Sequence, residues 1–345
     1  MMSENISELR QDLVTGEWIV VATGRARRPD DFAKAKHPIT SQPPETCPFE
    51  TLHENAQAIY TAEGKRFLPD GGNRVELDGT WWLKVVSNKY PAFGQGECAV
   101  EHAVGPYRFQ DGVGVHEVVV TRDHARSIAE MSPGEVAVII RAYRDRYLAL
   151  KEEGCVEYIS IFHNHGADAG ASLEHPHSQI IAISVIPPDI SRSLAGSGGY
   201  FARTGKCVHC TMIEFDAIDG SRIIYENQDF TVSCPFAPRQ AFEVRVFPKR
   251  HTPYFETLTE REIALAGDAL HQAVARLGRA LAGPAYNFFI HTAPTADGQS
   301  VAHYHWHLEI IPKTAVWAGF EIGTGIEIST ISPEAAAEFL RGILL

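Results

Sequence analysis

The 345-residue chain has no uninterrupted apolar run near the roughly 20 residues that a membrane-spanning helix needs. A membrane partner is therefore not expected. The chain also lacks a basic excess: 31 Lys and Arg stand against 43 Asp and Glu, a formal net charge of −12. A broad nucleic-acid footprint needs the opposite balance, so the expected anionic partner is a small molecule in a local pocket. The first ten residues are polar and carry no secretory apolar core, which makes the cytoplasm the expected compartment. Cysteine is sparse, with six residues, and in a reducing compartment these are expected as thiols or metal ligands, not disulfides. Cys98, Cys155 and Cys234 have no partner at motif spacing and read as packing residues. No low-complexity segment stands out. A chain that is 44% hydrophobic and 21% charged is ordinary globular material, long enough for one large domain or two smaller ones.

What the chain does contain is an internal echo. In the first half, a β-branched strand over 116–121 precedes a helix over 132–153 with Ser132 as cap and Glu135 three residues on. An apolar strand at 158–164, a glycine-rich turn and a strand at 175–186 follow. The second half repeats the order, with strand 242–247, helix 259–281 capped by Thr259 with Glu262, and strands 286–292 and 303–312. The histidines keep register. His124 precedes His175 by 51 residues, His251 precedes His305 by 54, and His175-x-His177 matches His305-x-His307. Matching order and matching spacing predict a duplicated chain. Its halves are expected at 1–190 and 191–345, with the boundary in 190–206, which contains the Gly- and Ser-rich stretch 193–200. Strands with single crossover helices predict an α+β fold, mainly antiparallel. Residues 222–235 read as a further hairpin turning near 227–229, 18–23 and 80–88 as earlier strands, and 36–48 as a surface loop.

The sharpest motif is His175-Pro176-His177-Ser178-Gln179. Alternation on a strand turns His175, His177 and Gln179 to one face of an otherwise apolar segment. Just before it lies Gly166-Ala167-Asp168-Ala169-Gly170-Ala171-Ser172, a small-residue turn whose amides and Ser172 hydroxyl could hold a phosphate. A neutral imidazole, abundant at pH 7, can attack an α-phosphorus and carry the nucleotide as a phosphoramidate. His177 is the expected nucleophile. His307 is its rival in the second half, but 294–302 lack the Gly-Ala-Ser character.

Cys207-Val208-His209-Cys210 has the spacing of half a tetrahedral zinc site, and the duplication brings His251 and His305 to complete it. His209, His303 and His307 compete as nitrogen donors. The matching set in the first half is Cys47, His124 and His175, with Glu50 three residues after Cys47. Carboxylate is a harder ligand than thiolate, so occupancy of this site stays open. Four protein ligands at each site imply structural metal, not a water-activating centre.

Taken together, these motifs resemble the galactose-1-phosphate uridylyltransferase family of the histidine-triad superfamily, and are similar also to its relatives, the ADP-glucose phosphorylases. The resemblance runs from Leu9-Arg10-Gln11-Asp12-Leu13-Val14-Thr15-Gly16-Glu17-Trp18 through Arg25-Ala26-Arg27-Arg28-Pro29, Cys47-Pro48-Phe49, Asn88-Lys89-Tyr90-Pro91-Ala92 and Asn164-His165-Gly166. It centres on Gly170-Ala171-Ser172 with the histidine motif, and ends with His305-Trp306-His307-Leu308-Glu309 and Gly319-Phe320-Glu321-Ile322-Gly323-Thr324-Gly325. It implies two histidine-triad motifs in one chain, a homodimer, zinc, and a place in galactose and carbohydrate metabolism. It implies ping-pong transfer of UMP from UDP-glucose through His177 to galactose 1-phosphate. It also implies that Gln179 bonds the transferred phosphoryl oxygens, that Ser172, Asn164 and Arg28 meet phosphates, that Asn88 meets the nucleotide, and that Phe320 and Glu321 meet the hexose. Glu50 departs from the family's second cysteine. Two alternatives stand beside this reading: AMP transfer from ADP-glucose to phosphate by the same chemistry, and a non-catalytic nucleotide- or zinc-binding protein.

Overall fold

Alternating and continuous apolar runs build the strands of this chain, and two capped amphipathic helices cover them. In the computed structural model the described residues are 7–22, 43–50, 56–68, 81–98, 100–295 and 301–345. In chain order the strands up to the first long helix are β1 (Glu8–Gln11), β2 (Trp18–Val21), β3 (Ala56–Thr61), β4 (Arg66–Phe67), β5 (Trp81–Ser87), β6 (His102–Val104), β7 (Tyr107–Phe109) and β8 (Gly114–Thr121). Then come α1 (Pro133–Lys151), β9 (Tyr158–His165), β10 (His177–Ile183), α2 (Pro188–Thr204) and α3 (Val208–Asp219). The remainder is β11 (Ile223–Glu226), β12 (Phe230–Ser233), β13 (Val244–Pro248), α4 (Glu260–Ala280), β14 (Tyr286–His291), β15 (His307–Pro312), α5 (Gly319–Thr324), β16 (Ile328–Ser329) and α6 (Pro333–Arg341).

Eleven strands form one antiparallel sheet in the order β11-β12-β13-β15-β14-β9-β10-β8-β5-β3-β4. Reading outward from the central β14–β9 pair, β9-β10-β8-β5-β3 on one side mirrors β14-β15-β13-β12-β11 on the other. The fold is α+β, and the repeated element order of the sequence appears as this palindrome. A separate small sheet joins β1 and β2 antiparallel, with β16 parallel to β2. No described helix is long and apolar enough to cross a membrane.

The helices α1 and α4 start where the sequence indicates. The Ser132 hydroxyl accepts from the Glu135 amide while the Glu135 carboxylate accepts from Ser132, and Thr259 with Glu262 repeats the arrangement. Both helices share one core with the sheet, where Ile180 and Ala182 of β10, Ile161 of β9, Ile290 of β14 and Ile310 of β15 meet Ile139, Tyr143, Leu270 and Val274. Alternate residues therefore face the other way. On β10 these are His177, Gln179 and Ile181, paired across to Val120, Val118 and His116 of β8. That second face carries the polar sites.

Three expectations change. The Gly- and Ser-rich stretch is not a linker but lies within α2, and the division after residue 190 falls inside that helix. Small residues serve close packing there, since a Cβ on Gly196 would collide with the Val14 carbonyl. The histidine strands begin at His177 and His307, so His175 and His305 lie just before them and are not bound by strand alternation. Cys98 and Cys155, 57 positions apart, are joined as a disulfide with Cα atoms 5.6 Å apart. Loop proximity, not local spacing, makes that pair, which is why motif reading missed it.

Candidate active site and metal clusters

His177 is buried at the start of β10. Its Nδ1–H donates to the His175 carbonyl at 2.9 Å, which leaves the lone pair on Nε2. Burial pushes its pKa down, so the ring is neutral at pH 7. The Phe49 ring stands edge-on, 5.0 Å between centroids. From the helix face, Tyr143 on α1 donates to Ser178 Oγ at 2.5 Å, and His163 Nδ1 lies 3.0 Å from the same oxygen. These contacts pin the strand that presents His177.

Gln179 shares the face of His177, and its Oε1 lies 2.8 Å from His116 Nε2. Asn88 reaches the same nitrogen with Nδ2 at 3.0 Å. Asn164 sits on the matching face of β9, and Asn287 Nδ2 donates both to Asn164 Oδ1 and to the Ala169 carbonyl, each at 2.8 Å. With its oxygen occupied, Asn164 has its amide NH2 free to meet an acceptor. The glycine turn behaves differently from expectation. The amides of Ala169, Gly170 and Ala171 already donate to the Gly166 and Ala167 carbonyls, so they are spent and form no free anion nest. Gly166 itself needs its glycine: φ is +81° and a Cβ would lie 2.8 Å from Ala285 Cβ. Ser172 is exposed beside the turn. Arg28 lies outside the described residues. Phe320 and Glu321 are on α5, where Phe320 is 49% exposed, and no hydrogen bond, ion pair or ring contact described here links them to the His177 strand.

The second expected metal set converges in full, and the first converges without Glu50. Cys207, Cys210, His251 and His305 bring their ligand atoms within 4.8 Å of one another. Cys210 Sγ lies 3.4 Å from His251 Nδ1 and 3.5 Å from His305 Nδ1, and Cys207 Sγ lies 3.9 Å from the latter. A zinc tetrahedron with bonds of about 2.0–2.3 Å has edges of about 3.3–3.8 Å. Each histidine donates Nε2–H to a carbonyl, His251 to Ala302 at 2.7 Å and His305 to Pro248 at 2.9 Å, which leaves Nδ1 lone pairs facing the thiols. The Cys210 hydrogen bond is the main cause that holds the Cys207 thiol well below its usual range, while Cys210 is raised. One thiolate is therefore ready for a cation. In the first half, Cys47, His124 and His175 converge likewise. His175 donates Nε2–H to Thr121 O at 2.7 Å, with Nδ1 3.6 Å from Cys47 Sγ. Glu50 Oε1 lies 3.0 Å from His124 Nδ1 and 3.4 Å from His175 Nδ1, beside the two histidines but outside the group that converges with Cys47. Of the competitors, His209 keeps a hydrogen bond to Cys207 while its ring tilts against His307, 4.9 Å between centroids, and His303 lies against Phe201 and Gly198.

The register of β15 equates His307 with His177 and Glu309 with Gln179. His307 also donates Nδ1–H to the carbonyl two residues back, His305, at 3.2 Å. Its surroundings differ. Glu309 Oε1 lies 3.6 Å from His307 Nε2 and 3.1 Å from Arg245 Nε, and His291 Nε2 lies 3.4 Å from Glu309 Oε2. Asp12, Glu17, Asp189 and Glu309 line the adjoining cleft with Arg239 and Arg245, so carboxylates outnumber the cations there. A carboxylate beside the imidazole repels a phosphate, whereas the amide of Gln179 can donate to one. Burial lowers the His307 pKa to about 3, so the ring supplies no compensating charge. Sequence reading missed His116, Asn287, His291 and Arg245. Their only early signal was polarity within apolar strands.

Comparison with known proteins gives the family and the fold. The model of the galactose-1-phosphate uridyl transferase N-terminal domain matches residues 1–187, and a domain of unknown function (DUF4921) matches 110–341. An ADP-glucose phosphorylase of Arabidopsis thaliana is 34% identical over 343 residues, covering 98% of this chain and 93% of that protein. A galactose-1-phosphate uridylyltransferase of Thermotoga maritima is 28% identical over 344 residues, 97% of this chain and 98% of its own length. Among solved structures, an ADP-glucose phosphorylase from Arabidopsis thaliana with bound ADP-glucose superposes with TM-score 0.78 at 30% identity, covering 99% of this chain and all (100%) of that one. A uridylyltransferase superposes with TM-score 0.71 at 25% identity, covering 97% of each chain. The chain belongs to the galactose-1-phosphate uridylyltransferase family of nucleotidyltransferases.

Proposed function

We propose that the protein transfers a nucleoside monophosphate from a nucleoside diphosphate hexose through a covalent adduct on His177. One observation carries the reading: His177 is a neutral buried imidazole whose Nδ1–H is committed to a carbonyl, with Nε2 left nucleophilic beside Gln179. Nε2 bonds to the α-phosphorus while the bond to the bridging oxygen breaks and hexose 1-phosphate departs with that electron pair. An acceptor then attacks the same phosphorus and frees the imidazole. Gln179, Asn88, Asn164, Ser172 and Arg28 are proposed to hold phosphate and nucleotide. Phe320 and Glu321 are proposed to meet the hexose in a homodimer, since Val316, Trp317, Phe320 and Ile322 are exposed on that segment. Zinc is proposed at Cys207, Cys210, His251 and His305, and at Cys47, Glu50, His124 and His175. There it would cross-link chain segments and add folding free energy.

For the donor, the 34% identity and TM-score of 0.78 support ADP-glucose, with phosphate as acceptor. UMP transfer from UDP-glucose to galactose 1-phosphate is the second reading, favoured by the match over residues 1–187. One series tests both. Incubation with ADP-glucose or UDP-glucose is followed by intact mass, then by discharge with phosphate or galactose 1-phosphate. The expected result is an AMP adduct discharged by phosphate; a UMP adduct discharged by galactose 1-phosphate would favour the second reading. His177→Ala should form none while staying folded. Absence of any adduct in the folded wild-type protein would overturn both.

A further inference from the structure

We infer that His116 is a positioning residue that orients the Gln179 amide so that its NH2 group faces the transferred phosphoryl group; the inference rests on the His177 reading above. His116 is buried on β8, on the same face as Gln179. Three groups converge on its ring. The Ala92 main-chain N–H donates to Nδ1 at 3.3 Å. Gln179 Oε1 and Asn88 Nδ2 lie 2.8 and 3.0 Å from Nε2.

Two fixed donors face the ring, the Ala92 N–H at Nδ1 and the Asn88 NH2 group at Nε2, and a neutral ring accepts from only one of them. In the tautomer we assign, Nδ1 accepts from the backbone and the proton sits on Nε2, where Gln179 Oε1 is the nearest of the three groups at 2.8 Å. An Nε2–H can be accepted by the amide oxygen of Gln179 but not by its nitrogen. The oxygen is therefore held toward β8 and the NH2 group is turned away from it. Asn88 is fixed from two sides as well. Its Oδ1 accepts from the Tyr90 N–H at 2.9 Å and its main-chain N–H donates to the His116 carbonyl at 2.8 Å. In that tautomer the Asn88 NH2 group finds no acceptor in the ring, and its hydrogens are left for a ligand. The histidine thus makes a donor of the Gln179 amide, and the Tyr90 N–H makes one of Asn88, at a site where negative charge develops on phosphoryl oxygens. An amide free to flip would present its oxygen to that charge part of the time.

The test is single-turnover adduct formation with ADP-glucose and UDP-glucose, together with 15N NMR of the His116 ring. His116→Leu should lower the saturating rate about 10–100-fold, less than the about 10²–10³-fold of removing a transition-state donor outright, because the Gln179 amide is still present but no longer held. The half-saturating nucleotide concentration should change little, and the thermal transition should remain cooperative. His116→Gln, which returns an N–H near the position of Nε2, should recover most of the rate even if the leucine variant folds poorly. In a Gln179→Ala background, His116→Leu should cost nothing further, because the histidine acts through the amide. A wild-type rate in His116→Leu, or an undiminished loss in the Gln179→Ala background, overturns the inference while leaving the His177 reading intact. The NMR arm is independent of turnover: an Nε2–H tautomer supports the inference and an Nδ1–H tautomer overturns it, whether or not an adduct forms.

Discussion

Changing Gln179 to Glu tests why His177, and not the equivalent His307, is the proposed nucleophile, because it installs in the first half a carboxylate where Glu309 stands in the second, without that residue's Arg245 partner. The substitution is nearly isosteric. One carboxylate oxygen can still accept from His116 Nε2, 2.8 Å away, so the strand and its neighbours should hold. The other oxygen replaces the NH2 group. One effect is loss of a transition-state donor, typically about 10²–10³-fold in rate. The second is repulsion of the phosphoryl group. At about 4 Å and an effective dielectric near 20, two like unit charges repel by about 4 kcal/mol, or roughly 10³-fold in rate. The two effects overlap, so the expected loss is at least about 10³-fold. The assay is the time course of nucleotidyl adduct by intact mass, with the thermal transition as the control for folding. Adduct formation within tenfold of wild type by a folded Gln179→Glu protein would refute the electrostatic account of why His177, and not His307, reacts.

Two further outcomes follow from the clusters. Cys210→Ser should lose a tightly bound metal equivalent by elemental analysis and lower the thermal midpoint, since Cys210 alone touches both His251 and His305; unchanged metal content would reassign the ligands. Arg245→Met strips the cation from Glu243, Glu309 and Asp12, at 3.1, 3.1 and 3.5 Å. Breaking such a buried set costs about 3–5 kcal/mol, or about 4–7 °C for a chain of this length. Its pH dependence has a definite sign. Burial raises Glu243 to about 7, so its contribution is present below the unfolded pKa and lost as pH rises through about 7. At Glu309 burial also pushes upward, but Arg245, His291 and His307 together more than offset it and hold the carboxyl well below its usual range. That contribution is present above the unfolded pKa and lost as pH falls through the folded one. Without Arg245 both carboxyls rise, so the variant's penalty should be larger at pH 8 than at pH 5. A penalty that shrinks with pH would contradict the network.

Much of the organisation was legible along the chain because it is local or periodic. Ser132 with Glu135 and Thr259 with Glu262 mark helix starts through bonds made within four residues. The paired histidine spacings carry the duplication, and with it the meeting of Cys207 and Cys210 with His251 and His305. That grouping survives in the structure because equivalent strands occupy equivalent places on either side of the β14–β9 pair. Gly196 reads as part of a boundary between the halves because composition cannot tell a boundary from a helix that must admit a Val14 carbonyl.

The sequence by itself determined the motif chemistry, the helix caps and the repeat, all of which depend on spacing within one segment. Only the tertiary structure decided which amides are free and which are spent, that Cys98 meets Cys155, and that His116 holds Gln179 from a neighbouring strand. The physical reason is directional. A hydrogen bond or a disulfide requires atoms a few ångströms apart at a set angle, and for residues dozens of positions apart that geometry exists only once the sheet has formed.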